Sequence, residues 1–511
     1  MISMNARHNL FTISLLAAIL SFASTAGAQS PYERALEQNL WNLGLGVNGI
    51  RQRQDISVAQ ALVYGTFEQG DFRAPWEAES LWKAGARSEA LRHLDKFSLS
   101  GSFGFEEWQG KGMCGPMSIE PGYFPIEAWE FSPGVKTLQT YVVDGAISVD
   151  ISDNLRLGGR FLMDSRNYSK RKDLRHTNYR LDMECRGGLA WHSDEEERAV
   201  IELISILGKT SETITAEQIG TAAGIYDAFL DKGLMYGAYE LWNGSGVHLS
   251  ESGVSGLPMR ENVYGAALEA SFSDALFASL QYRYKDGSAG EKEYMWFRFP
   301  AETVDLLLAA RMSSHTFRLS VEGLSQQNWE NVLDKISSGG ISTVNSYGYN
   351  LIFQKRRLNL APSYEYSTKL FTLRAFLDYS LEKSLSSQMY PYLFEQDYSA
   401  FSAGLSLRYH RRAFECELAL SCFDGRLDES ETKVAEVLGT SAPQRYAQGF
   451  SQLYEWLCAS RGHLSADLLW YPGLKNCFVG LGLDATHCFV PVSTLGGRDS
   501  FSGNILIGIN F

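Results

Sequence analysis

Apolar and polar residues alternate with a period of two along most of this chain. Residues 501–511 show it most clearly: Phe501, Gly503, Ile505, Ile507, Ile509 and Phe511 share one parity. Side chains two apart line one face of a strand, so this segment is predicted to be a strand with a continuous apolar face. The same grammar recurs upstream. Phe97, Leu99, Gly101, Phe103 and Phe105 alternate, as do Tyr141, Val143, Gly145, Ile147, Val149 and Ile151. Leu155, Leu157, Gly159, Phe161 and Met163 follow after only three residues, 152–154, which predicts a hairpin. Further alternating runs fall at 179–191, 198–207, 263–272, 276–284, 317–323, 370–381, 401–409, 414–423 and 464–470.

The linkers between runs come in two sizes. Those at 152–154, 273–274, 313–314 and 410–412 are very short, whereas 109–138, 208–233, 326–346 and 424–449 are long and mostly polar or glycine-containing. A soluble sandwich has no reason to sort its connections this way. Transmembrane barrels do, with short periplasmic turns and long external loops. The predicted fold is therefore an all-β, transmembrane antiparallel barrel over residues 96–511. At roughly 26 residues per strand with its share of loop it has about 16 strands, within a range of ~14 to ~18.

The start of the chain breaks the pattern. Residues 10–23 are mostly apolar, and Ala26, Gly27 and Ala28 fit a cleavage site, so 1–28 is expected to be a secretory signal peptide. Residues 29–95 are expected to form a mixed N-terminal extension, periplasmic or folded into the lumen as a plug, with helix over 31–40 and in parts of 77–94. The competing reading takes 56–67 as the first barrel strand.

Composition narrows the class further. Past the signal, no apolar run reaches the ~18 residues a membrane helix requires. The 25 Tyr, 28 Phe and 11 Trp suit aromatic girdles at two membrane interfaces; the Tyr294, Trp296, Phe297 and the Tyr390, Tyr392 clusters are read as such anchors. A net charge of −13 argues against a nucleic-acid partner. Seven cysteines, an odd number without a CxxC pair, are read mostly as free thiols, with a Cys458–Cys477 disulfide left open.

Candidate chemistry is sparse. The densest cationic tract holds Lys170, Arg171, Lys172, Arg175, His176 and Arg180. It falls on a linker expected to face outward, where it would meet lipopolysaccharide phosphates or an anionic partner, or simply be solvated. His248, with Ser245 and Ser250 nearby, is the best hydrolase triad fragment available, and it is a weak one. His487 and Cys488 adjoin, so a regular strand sends them to opposite faces and they cannot share a metal ion. No catalytic residue, cofactor or metal is expected.

Two resemblances add to this. Phe501, Ile505, Ile507, Ile509 and the terminal Phe511 resemble the C-terminal signal that barrel-assembly machinery reads. On that reading, deleting Phe511 or making it polar lowers the amount of folded barrel in the outer membrane, and unchanged heat-modifiable migration on a gel would refute it. The tract from Lys170 to Asn178, with the signal peptide and Phe511, resembles uncharacterised outer-membrane barrels of gut-type anaerobic bacteria. That resemblance implies association with nutrient-import systems built on a TonB-dependent transporter and surface lipoproteins. The function expected is a non-enzymatic accessory barrel of a transport or surface complex in the bacterial outer membrane. A passive or gated channel for small solutes and a barrel-embedded hydrolase are the alternatives.

Overall fold

The structure is a computed structural model that describes residues 40–511 apart from 52–57, 173, 194–197, 217–227, 234–238, 242–254, 292–294, 339–340, 390–391, 412, 433–451, 474–475, 491 and 493–495. Its strands form a single 21-stranded antiparallel sheet. The sheet closes on itself because the first strand, Val58–Gly70, pairs with the last, Asp499–Asn510, from Gln60 opposite Asn510 to Gly70 opposite Ser500. Three short strands, Ala228–Asp231, Tyr239–Leu241 and Met295–Arg298, do not traverse the wall, which leaves a barrel of 18 strands. This lies at the upper end of the range read from the sequence.

Closure gives each wall strand a partner on both sides, so among the described residues the wall has no open edge. The outward face is apolar on strand after strand: Phe67, Phe103, Ile147, Leu157, Leu203, Leu268, Leu280, Leu405 and Leu483 all stand exposed. A soluble monomer does not expose a continuous band of this kind. The protein is thus a transmembrane β-barrel of the bacterial outer membrane, and Phe501, Ile505, Ile507, Ile509 and Phe511 are exposed members of its lipid-facing band.

One end of the barrel carries the short turns. Ser152 is followed by Leu155, Phe272 by Leu276 and Met312 by His315 in the next strand. At the second of these, Ser273 (φ 49°) and Asp274 (φ 52°) both adopt left-handed backbone, as a tight hairpin between right-twisted strands demands. Both the start of Val58–Gly70 and the end of Asp499–Asn510 lie at this end, which is periplasmic.

The wall is uneven in height. Strand Arg461–Trp470 has 10 residues and Cys477–Cys488 has 12, about what a tilted strand needs to span the bilayer. Glu127–Ser152 has 26, His315–Ser338 has 24 and Ile341–Ser367 has 27, so these rise well outside it. The linkers predicted at 109–138 and 326–346 are consequently mostly strand. Beyond the lipid band nothing selects alternate apolar residues, so the sequence loses its period while the ladder continues.

The predicted N-terminal extension also needs correction. Within 29–95, Val58–Gly70 and Ser80–His93 are full wall strands paired to one another, and Ser80–His93 is not helical. Its inward parity carries Lys83, Arg87 and Glu89, all buried. These lumen-facing charges hid the strand period. Apart from these strands and the turns that follow them, the described part of the extension is 40–51. All seven cysteines are free. Cys458 lies on a short helix at the outer rim and Cys477 begins a strand at the periplasmic end, so they cannot bond.

Candidate functional site: a lumen entered from both ends

Residues 40–51 enter the periplasmic half of the lumen as a strap rather than a domain. Leu40 and Trp41 open it as one 3-10 turn and pack against Phe277, Ala190, Val200 and Ala309. Leu45 and Val47 lie on Ile204, Ile206 and Ala267, and Ile50 on Leu91 and Ala146. The apolar contacts therefore come from inward-facing wall residues near the short turns.

Charged wall side chains hold the strap's backbone. The amide of Leu45 donates to Glu269 Oε1 at 2.6 Å. Its carbonyl accepts from Arg186 Nη1 at 2.7 Å and Arg160 Nη1 at 3.1 Å. Asn48 donates its backbone N–H (3.2 Å) and its Nδ2 (2.9 Å) to Glu202 Oε1. Ser148 Oγ donates to Asn48 Oδ1 at 2.7 Å. Arg51 closes the strap on Asp150 at 2.7 Å and on the carbonyls of Leu94 and Asp95.

Glu202 and Glu269 stand directly opposite one another on paired strands. Like charges so placed repel, and the strap meets the pair with amide donors. Glycine is required where the fit is closest. Gly46 takes a left-handed φ of 68° beside Arg160, and a side chain on Gly188 would collide with Glu202, Val47 and Asn48.

Above the strap a ladder of buried ion pairs runs along the inner wall. Arg160 is bound by Asp144 at 2.6 Å, while Arg186 and Arg283 share Glu184 at 2.5 and 3.1 Å. At the outer end residues 117–126 fold inward. Glu120 on this loop pairs with Arg180 at 2.7 Å and with Arg166. The amide of Ile119 donates to Glu212 at 2.9 Å. Tyr123 donates to Glu261 at 2.7 Å, and Arg180 (4.2 Å) and Lys285 (4.5 Å) lie over its ring. Burial raises the Tyr123 phenol well above its ordinary pKa, so it stays a neutral donor there.

Strand Ala228–Asp231 pairs with residues 127–130 inside the wall, and Lys232 then reaches Glu330 at 2.7 Å. Met117, Phe124, Ile126, Leu230, Trp296, Phe297 and Phe299 belong to the apolar cluster capping this end. Trp296 and Phe297 are therefore buried inside the barrel and do not anchor an interface; Tyr294 and Tyr390 lie outside the described residues.

The cationic tract divides in two. Arg171, Lys172 and Arg175 are exposed on the turn between two strands. Lys170, His176 and Arg180 are not: they belong to the flanking strands, point inward and are buried. Lys170 and Lys136 both pair with Glu130, at 2.8 and 3.2 Å, and Arg180 joins Glu120, Asp182 and Glu212. A signal for this was present in the sequence. His176, Asn178, Arg180, Asp182, Glu184 and Arg186 share one parity, a polar ladder opposite the apolar one. It marks lumen-facing positions rather than a solvated loop. His248, Ser245 and Ser250 lie outside the described residues. Among the described residues no group of three or more His, Cys, Asp or Glu side chains is placed to hold a metal ion.

A family model matches residues 47–511, from within the strap to the last strand. The chain belongs to a family of unknown function, DUF6850. No curated protein matches this family member's sequence. Among solved structures, the FrpB iron transporter from Neisseria meningitidis (F3-3 variant) is similar at 7% identity and a TM-score of 0.44, over 91% of this chain and 83% of that one. The outer membrane transporter YddB from Escherichia coli is similar at 8% identity and a TM-score of 0.44, over 88% and 80%. The assignment of a barrel rests on the strand registers and the apolar band described above.

Proposed function

We propose that this protein is a non-conducting accessory barrel of an outer-membrane transport or surface complex, without catalytic function of its own. The observation that carries this reading is that chain folds into the lumen from both ends. The strap enters the lumen at the periplasmic end and residues 117–126 and 228–233 at the outer end, each held by charged hydrogen bonds and apolar packing on the wall. A solute pore is lined by charges left open to water; the charges of this ladder, such as Arg186 and Glu184, are buried against one another. The exposed cations Arg171, Lys172 and Arg175, and strands that rise far beyond the bilayer, give an outer surface to a partner. A TonB-dependent transporter or a surface lipoprotein fits that role.

The test is twofold. Full-length protein in planar bilayers is expected to show no large, steady conductance, and mild-detergent extraction is expected to bring down a transporter or lipoprotein at fixed ratio. Porin-like conductance from the intact chain would establish the channel reading instead.

A further inference from the structure

The lipid-facing side of the barrel is not smooth. A groove of about 790 Å³ runs across the strands between 255 and 389, close to the short turns. Its floor is built by register. Ala270 lies opposite Ala278, and Leu276 lies opposite Ala310, which in turn faces Phe317. Three outward alanines thus sit among Leu276, Leu308 and Phe317, all exposed. Phe317 is opposite Tyr364, which bounds the groove on the next strand.

Its periplasmic rim is polar and aromatic. Exposed His315 stacks on Tyr364 at 6.0 Å with Nδ1 2.7 Å from the hydroxyl, and Tyr366 tilts against it at 5.0 Å. Lys369 is exposed on the adjoining turn. Glu365, on the same strand as Tyr364, turns to the other face and pairs with Arg318. The exposed acid Asp274 belongs to a turn three strand spacings, ~14 Å, away.

We propose that this groove is a binding site for one glycerophospholipid of the inner leaflet. An acyl chain lies over Ala270, Ala278 and Ala310, and the phosphate meets Lys369 and His315. The hydrophobic effect cannot select this site, because a lipid tail leaving the bilayer gains no apolar surroundings. Close packing can. A chain seated in a groove touches wall atoms on three sides, whereas a chain on the flat band touches them on one. The cationic rim adds charge-assisted contacts that only an anionic head group at the interface receives.

Native mass spectrometry of the full-length protein, extracted from outer membranes in mild detergent, tests this. The wild type is expected to carry a phospholipid adduct. Ala278→Phe and Ala310→Phe each fill the floor and are expected to lower the bound fraction about tenfold, the factor that ~1.4 kcal/mol of lost contact gives. Lys369→Glu is expected to lower it through the head group alone. Leu203→Phe, elsewhere on the band, keeps the adduct. Equal retention in all variants, an adduct of lipopolysaccharide instead, or a wild-type dimer that Ala278→Phe splits would each overturn the proposal. Heat-modifiable migration establishes that each variant is folded. Where a phenylalanine variant is not, Lys369→Glu decides alone, and an unchanged adduct overturns it.

Discussion

Glu130→Ala is expected to destabilise the barrel more than the loss of any exposed charge, by ~3–5 kcal/mol. Glu130 is fully buried and receives two ammonium groups, Lys170 at 2.8 Å and Lys136 at 3.2 Å, as well as the amide of Ser132 at 2.9 Å. Lys136 and Lys170 are themselves buried. Removing the carboxylate leaves two cations out of water with backbone carbonyls, Pro116 for Lys136 and Ser132 for Lys170, as their remaining acceptors. The penalty is the desolvation of unpaired charge, not the lost attraction itself. Two comparisons isolate it. Glu130→Ala combined with Lys170→Met is expected to recover part of the loss, since one of the stranded cations is gone. Lys383→Ala removes a cation of similar connectivity, bound to Glu395 and near Asp397, but its side chain is 58% exposed. That change is expected to cost ~0–1 kcal/mol. Denaturant midpoints followed by heat-modifiable migration read all three. A Glu130→Ala midpoint no lower than that of Lys383→Ala would show that this buried ion cluster contributes nothing to the folded barrel.

The barrel was legible in this sequence because lipid imposes a rule on every second residue. Ile505, Ile507 and Ile509 had to be apolar and are exposed, and the hairpin through 152–154 reads directly from the flanking alternation. Legibility ended where that rule ends. In Ser80–His93 the outward side chains include alanines and serine, and the inward ones include Lys83, Arg87 and Glu89. A helix and a strand are then equally consistent with the pattern. Above the bilayer, Glu127–Ser152 and Ile341–Ser367 continue as strand with no apolar period to announce them.

What folds into the lumen was the least legible part, for a different reason. Lys170 and Arg175 look alike in sequence, yet one is buried against Glu130 and the other is exposed. What separates them is whether a residue of the same parity continues a ladder across the wall. The acids that receive Lys170 and Arg180 lie 40 and 60 residues upstream, on Glu130 and on a loop, at Glu120, whose inward fold nothing local dictates.

The strap gives the sharpest contrast between neighbouring residues. Gly187 and Gly188 are adjacent on strand His176–His192, so their side-chain positions point to opposite faces. At Gly187 an added side chain would meet only Ser205 Oγ at 3.3 Å, on the outer face. At Gly188 it would enter the space held by Glu202, Val47 and Asn48. Gly188→Leu is therefore expected to unseat the strap while the wall ladder, whose hydrogen bonds are unaffected, stays closed. Forcing a side chain into a filled site costs roughly 1–3 kcal/mol. The loss also spreads along the strap, because Asn48 makes contacts with Glu202, Ser148 and Gly188 that depend on one position. Arg51 reports on the outcome. It is buried against Asp150 in the seated strap, and trypsin cleaves after it only when the strap is out. With opening fast relative to cleavage, the rate follows the open population. Cleavage at Arg51 in folded, detergent-solubilised protein is thus expected to rise by about 5- to 150-fold in Gly188→Leu. In Gly187→Leu it should remain at the wild-type rate. Equal cleavage in the two variants would mean that the strap is not held by the face on which Gly188 lies.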